Sequence, residues 1–369
     1  MKNILFIHSS AELYGSDRSL LNILRKLDKT KYKAYVILPC QGPLLNKIED
    51  IGGIEVIIYE VAVLRRKNLS IKGGYQYIKQ YRKSVKFIKS LIKEKDINIV
   101  DTNTAVVFPG AVAAKKCKIK SVWHIREIIK NNMENKVISY MMNRYSDLII
   151  ANSKATGKAL KVKQSKIRVI YNAVAENQAA FHKNDKLIVG MAGRINRWKG
   201  QKLFVDAAER VHKAVPEAKF YIAGEAYTGE EKLKEELEQY IVEKHLVDTV
   251  VLLGQVNDMN SFYSDLDIFV LPSIQPEPFG LVVIEAMDYG IPVVATNHGG
   301  PTEIIDDGVT GYLVDYRNCD EMSERIIELL NDKTKRELLG MNGKRKKREQ
   351  FSIDNMVNKI QDVFEEVLR

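Results

Sequence analysis

The sequence predicts an α/β protein built from two Rossmann-like, doubly wound parallel-sheet domains facing a cleft. Three observations carry this expectation. Short apolar, β-rich runs alternate with helical patterns along the whole chain. The alternation restarts after a polar stretch at 173–185. The chain has 369 residues, 45% of them hydrophobic, which suits two domains of roughly 150 residues each. The expected domains are 1–175 and 186–351.

The elements follow in order. Residues 3–7 read as a buried first strand. A helix over 16–27 turns Leu20, Ile23, Leu24 and Leu27 inward, with Ser16 as its cap and Asp17 in its first turn. Strand 34–38, helix 43–51 and strand 55–59 lead to a basic helix over 72–95. Its inward stripe is Ile78, Val85, Ile88 and Ile92. Strands 97–100, 120–124, 148–151 and 167–169 complete the first domain. The second runs through strand 187–191, helix 201–214, strand 219–222, helix 230–244, and strands 250–253 and 268–271. A helix from 281 to 287, strand 293–295 and two helices over 321–330 and 354–368 follow.

Composition narrows the function classes. Gly and Pro contents of 22 and 9 residues are those of a globular protein, not of collagen or a disordered chain. Cys40, Cys117 and Cys319 are scattered and odd in number, which argues against a disulfide framework or a CxxC metal site. No apolar run approaches the roughly 18 residues of a spanning helix, and the N-terminal run is too short for a signal peptide. The net charge is +10. The excess is local, since 65–120 holds 15 Lys and Arg against three acids, Glu94, Asp96 and Asp101. A basic amphipathic helix suits an anionic lipid surface, and it also suits a plain solvated face. No recognition-helix, RNP or zinc-finger pattern supports nucleic acid.

Five segments carry candidate chemistry. Gly193-Arg194 closes the first strand of the second domain, and Lys199 precedes a helix start. Two cations at a helix N-terminus suit a diphosphate. Glu277 lies in a loop, whereas Glu285 lies in an apolar helix and needs a partner. Ribose or sugar hydroxyls would suit either carboxylate, and so would a backbone or Arg contact. Gly299-Gly300-Pro301 follows a strand, where free N–H groups can meet phosphate or substrate. Tyr14-Gly15-Ser16 permits close backbone approach, but it is not GxGxxG, and the second strand lacks the acid of a dinucleotide site. His124 and Arg126 stand at a strand end, able to bond a hydroxyl and a phosphate. Asp265 and Asp267 fit a DxD metal signature, but their place before a strand reads as capping and packing.

These residues resemble the retaining glycosyltransferases of the GT-B fold, in family four ("glycosyl transferases group 1"). Glu277 to Glu285 matches the family's E-x7-E motif. Arg194 with Lys199, Leu271-Pro272-Ser273 and Gly299 to Glu303 sit in family order. The resemblance implies that Arg194 and Lys199, with Gly193, bind the donor diphosphate and that Glu285 holds the ribose. Glu277 would contact the donor sugar, with Phe279, Gly280 and Leu281 nearby through backbone. Gly15 would approach the diphosphate and His124 would face the transferred sugar. A final helix, 352–369, would pack back on the first domain.

The activity so implied moves a hexosyl or N-acetylhexosaminyl unit from a nucleotide-diphosphate sugar, UDP before GDP, to a lipid-linked or other saccharide acceptor. It would serve surface-polysaccharide or glycan assembly at the cytoplasmic face of the membrane. No cofactor, metal or nucleic-acid partner is expected. A sugar-nucleotide epimerase of the same fold and a non-enzymatic basic scaffold are the alternatives.

Overall fold

The computed structural model describes residues 1–65, 68, 70–176 and 187–369. Most of the polar stretch at 173–185 therefore lies outside the described residues. The chain divides into two compact units: Met1–Ala173 with Ile353–Arg369, and Val174–Ser352.

Unit 1 contains β1 (Lys2–Ile7), β2 (Tyr32–Leu38), β3 (Glu55–Ile58), β4 (Ile99–Thr102), β5 (Lys120–Ile125), β6 (Leu148–Ala151) and β7 (Ile167–Val169). They pair in parallel in the order β3-β2-β1-β4-β5-β6-β7. A two-residue period sends Ile4 and Phe6 to one face and Leu5 and Ile7 to the other. Helices cover both faces. Ile4 and Phe6 share a core with the helices Gly15–Lys26 and Ile353–Leu368. The latter buries Met356, Val357, Ile360, Val363, Phe364 and Val367, each full burial being worth about 1.5–3 kcal/mol. Leu5 and Ile7 share a core with Val85, Ile88 and Ile92 of the helix Ile71–Glu94.

Unit 2 contains β8 (Ile188–Ala192), β9 (Lys219–Ala223), β10 (Val250–Gly254), β11 (Ile268–Leu271), β12 (Val293–Thr296) and β13 (Gly311–Val314). Its parallel order is β10-β9-β8-β11-β12-β13. Both sheets wind outward from their first strand and then cross to its other side. The crossing points lie between β1 and β4, and between β8 and β11, where open α/β sheets bind ligands at the carboxyl ends.

Four differences from the sequence expectation have physical causes. The first helix begins at Gly15, so Ser16 is inside its first turn. The capping contact comes from Asp17, which accepts from the Tyr14 N–H at 2.8 Å. Ile78 lies on the outward side of its helix, not in the buried stripe. Helices Pro109–Cys117 and Asn132–Tyr145 and strand β13 add to the expected set. A further helix, Lys333–Gln350, precedes the last one. It lacks an apolar stripe because part of its anchorage is ionic: buried Lys347 places Nζ 2.6 Å from Asp288 Oδ1.

Candidate active site

In unit 2, three loops at the carboxyl ends of β8, β11 and β12 converge on Glu277. The first carries Arg194 and Lys199. Asn196 Oδ1 accepts from the N–H groups of Trp198 and Lys199, which folds this loop into a tight turn. Gln201 Nε2 donates to the Arg194 carbonyl at 2.8 Å. Gly200, at φ 79°, caps the helix Gln201–Ala214, and a Cβ there would stand 1.8 Å from the Pro272 carbonyl oxygen. Only glycine lets the helix N-terminus approach the β11 loop this closely. The first turn of that helix presents backbone N–H groups and the positive end of the dipole.

Lys199 reaches Glu277 with Nζ at 3.0 and 2.9 Å from the two carboxylate oxygens. Ser273 Oγ donates to Glu277 Oε2 at 3.0 Å. Ser273 is held in turn, because its carbonyl accepts from Thr296 Oγ1 at 2.7 Å and from His298 Nε2 at 2.6 Å. A carbonyl only accepts, so Nε2 of His298 carries the hydrogen. The β12 loop completes the cradle. Gly300 N–H donates to the Glu277 carbonyl at 2.7 Å. A Cβ on Gly299 would lie 2.3 Å from the Glu277 carbonyl oxygen, and one on Gly300 2.3 Å from Phe279 Cα.

The remaining expected residues of unit 2 take defined places. Arg194 lays its guanidinium over the Tyr227 ring at 4.0 Å. Gly193 ends the strand run beside the Lys199 side chain. Phe279 is buried, its ring edge-on to Phe351 at 5.9 Å. Gly280, at φ 106°, caps the helix Leu281–Asp288, so Leu281 is its first residue. Glu285 meets its expected need for a partner through Tyr263, whose hydroxyl donates to Oε2 at 2.8 Å. Asp267 accepts from the Ile188 N–H and lies 3.4 Å from Arg336, and Asp265 caps the helix Met259–Ser264.

In unit 1, polar residues again gather at the carboxyl ends of β1, β4 and β5, but they bond to one another. His8 and Asp17 are 2.6 Å apart. His124 Nε2 lies 2.9 Å from Asp101 Oδ2, and Arg126 approaches His124 Nδ1 at 3.3 Å. Arg126 can only donate, so Nδ1 accepts and Nε2–H donates to Asp101. This is the neutral tautomer. Burial lowers the His124 pKa, Asp101 opposes, and Arg126 adds to the lowering. Arg126 also donates to Asn103 and Ser19. The expectation set His124 facing a sugar; in the structure both of its ring nitrogens are engaged inside unit 1. With Arg126 it borders a recess lined also by Asn152, Asn172, Met356 and Ile360. Gly15, the first residue of its helix, is partly exposed.

Two family descriptions match the chain: "Glycosyl transferases group 1" over residues 174–346 and "Glycosyltransferase Family 4" over residues 14–178. The chain belongs to the group 1, family four glycosyltransferases. An uncharacterized glycosyltransferase of Methanocaldococcus jannaschii is 28% identical over 323 residues, covering 85% of each chain. The UDP-Gal:alpha-D-GlcNAc-diphosphoundecaprenol alpha-1,3-galactosyltransferase of Escherichia coli is 24% identical, covering 95% of this chain and 94% of its own. The crystal structure of Anabaena HepE with UDP and glucose superposes at a TM-score of 0.83 with 24% identity, covering 99% of this chain and 100% of the other.

The fold of this glycosyltransferase is thus GT-B, with two Rossmann-like sheets. Sequence reasoning did not find Tyr227, Tyr263, His298 or Asp101 as partners of its candidate residues. Asp101 had a readable signal, an acid that ends the apolar run 97–100 at a strand's carboxyl end. The three others are distant in sequence from what they hold, and no local pattern marks them.

Proposed function

We propose that the protein is a retaining glycosyltransferase that moves a hexosyl or N-acetylhexosaminyl unit from a nucleotide-diphosphate sugar to a saccharide acceptor. The observation that carries this is Lys199 paired with Glu277 beside the Gln201 helix N-terminus, with Arg194 on the same loop. Breaking the anomeric bond builds negative charge on the departing diphosphate and positive charge on the sugar. Two cations and a helix dipole answer the first. Glu277, lined up by Lys199, Ser273 and Gly300, is set to bond the sugar. Glu285, oriented by Tyr263, is set to hold the ribose hydroxyls. The acceptor attacks on the face the diphosphate leaves, and a phosphate oxygen takes its proton, so configuration is kept.

Phe279, Gly280 and Leu281 offer backbone to the donor. Gly15 would meet the diphosphate from unit 1. His124 would act as a neutral, oriented imidazole; direct contact with the sugar would release Nδ1 from Arg126. The cationic pair makes a divalent metal unnecessary in this reading. UDP is the favoured nucleotide and GDP the next, in keeping with the UDP named for the galactosyltransferase and HepE. A lipid-linked acceptor in surface-polysaccharide assembly is in keeping with the diphosphoundecaprenol and capsular-polysaccharide names among the relatives. Such an acceptor calls for peripheral attachment to the inner membrane face, through the basic helix Ile71–Glu94. Among the described residues no helix is long and apolar enough to cross a membrane.

The test is a thermal-shift panel of UDP-, GDP-, ADP- and dTDP-sugars, with EDTA and again with magnesium. A ligand at 100 times its Kd adds about 2.7 kcal/mol, a shift of a few degrees. A UDP-sugar shift that survives EDTA is expected. No shift with any donor would sink the site, and a strict magnesium requirement would sink the metal-free reading. NMR of the product anomer decides retention.

A further inference from the structure

Both cations of the β8 loop rest on aromatic rings. The Arg194 guanidinium carbon stands 4.0 Å from the Tyr227 ring centroid, and Lys199 Nζ stands 4.6 Å from that of Trp198. The backbone brings each ring there. β8 and β9 go on pairing past their ends: the Gly193 N–H donates to the Ala223 carbonyl at 2.9 Å, the Ile195 N–H donates to the Glu225 carbonyl at 3.0 Å, and Ile195 bridges Ala226. Gly224 makes this approach possible. At its φ of 137°, a Cβ would lie 2.2 Å from the Gly193 carbonyl oxygen. The ladder so extended carries Tyr227 alongside Arg194. Trp198 is fixed through both of its backbone groups. Its N–H donates to Asn196 Oδ1 at 3.0 Å, and its carbonyl accepts from the Ile274 N–H at 2.9 Å.

The kind of support matters at an anion site. A carboxylate that holds a cation also cancels its charge. An aromatic ring attracts the cation through its quadrupole but carries no net charge, so the cation's charge stays available to a phosphate. Lys199 has both kinds of support, Glu277 and Trp198. Tyr227 is 47% exposed, so core packing gives little reason for a large ring at this place.

We infer that Tyr227 and Trp198 are positioning residues, uncharged aromatic supports that hold Arg194 and Lys199 in place for the donor diphosphate. This rests on the donor-site reading above and adds to it the residues that set the two cations before the ligand arrives. Ordering the cations in advance lowers the cost of binding.

Titrations of the full chain followed by NMR compare UDP with uridine, which lacks both phosphates (GDP with guanosine if GDP is the nucleotide bound). Tyr227→Leu keeps an apolar side chain and loses the ring. Its UDP affinity should fall about fivefold, the size of a partly exposed cation–π contact, while its uridine affinity stays. Tyr227→Phe keeps the ring and should bind UDP as the wild type does. Trp198→Leu and Trp198→Phe should repeat this pattern. In an Arg194→Gln background Tyr227→Leu should cost nothing further, a coupling that a general loss of stability would not produce.

A leucine variant that binds UDP as the wild type does overturns the assignment of that residue. Equal losses for UDP and uridine overturn it too, because the ring would then stack on the base. So does a phenylalanine variant as weak as the leucine one. A wild-type chain that binds no nucleoside diphosphate sinks the donor site itself and this inference with it, whereas wild-type binding with unmoved variants sinks the aromatic supports alone. Ligand-free melting curves report the folding of each variant.

Discussion

The two units wind their sheets identically up to the sixth strand and collect polar residues at the same place, the carboxyl ends of the central strands. They use those residues in opposite ways. In unit 2 Lys199, Ser273 and the Gly300 N–H converge on one residue, Glu277, and the loops that hold it meet through glycines. In unit 1 the charges close on themselves: His8 with Asp17, and His124 with Asp101 and Arg126. The shared topology sets where a site forms. The loop chemistry decides whether the groups there are aimed outward at a ligand or spent on holding one another. Unit 2 thus holds a convergent polar cluster around one carboxylate, and unit 1 a buried cluster whose members bond to one another.

That contrast can be broken by measurement. Glu277→Gln keeps the shape and the Ser273 contact but removes the charge facing Lys199. Turnover should fall by about 10³-fold or more with little change in secondary structure; a loss under tenfold would remove Glu277 from the site. Gly300→Ala drives a methyl toward Phe279 Cα and must shift the Glu277 loop. We expect about a 10²-fold loss of turnover at a stability cost of about 1–3 kcal/mol. Steady-state kinetics beside a denaturant curve separates the two effects.

Asp101→Asn, the corresponding change in unit 1, should lower turnover by only about tenfold, since it disturbs orientation and not charge on the donor. A loss as large as that of Glu277→Gln would erase the contrast. The pH dependence of unit 1 gives a second handle. Buried His124 has its pKa below the ordinary 6.5. The unfolded chain then binds more protons as pH falls through 6.5, so stability drops on acidification, by at most about 1.4 kcal/mol per pH unit for this one group. His124→Gln should flatten the slope of melting temperature against pH between 7 and 5. Tyr263→Phe is the mildest test. It removes one hydrogen bond to Glu285, worth about 1 kcal/mol, and should weaken UDP binding about fivefold by calorimetry.

The same contrast explains what could be read from the sequence. The donor-side residues were legible because close backbone approach forces glycine, and glycine beside Arg194, Lys199 or Glu277 leaves a local mark. The strands were legible because both faces are buried, so apolar runs stand out between polar loops. His298, Tyr263 and Tyr227 were not, since their meaning arises from residues 25, 22 and 33 positions away. The helix Lys333–Gln350 was hidden for another reason: a buried ion pair, Lys347 with Asp288, stands where an apolar stripe would have announced it. Ile78 misled in the opposite sense. Its spacing fits the inward stripe, yet at this end of the helix Tyr77 and Tyr81 are the residues that pack on the core, and Ile78 lies beside them at the surface.

The helix Ile353–Leu368 belongs to unit 1, although all of unit 2 separates it from the rest of that unit. On the ribosome this sets an order of events. Phe6, Tyr32 and their neighbours emerge early, yet Phe364, which meets both rings edge-on, is made only after residues 174–352. Nascent unit 1 therefore waits with an uncovered apolar face while unit 2 is synthesised. Chaperone dependence during translation, and exchange of this helix between two nascent chains, follow from how the chain is threaded.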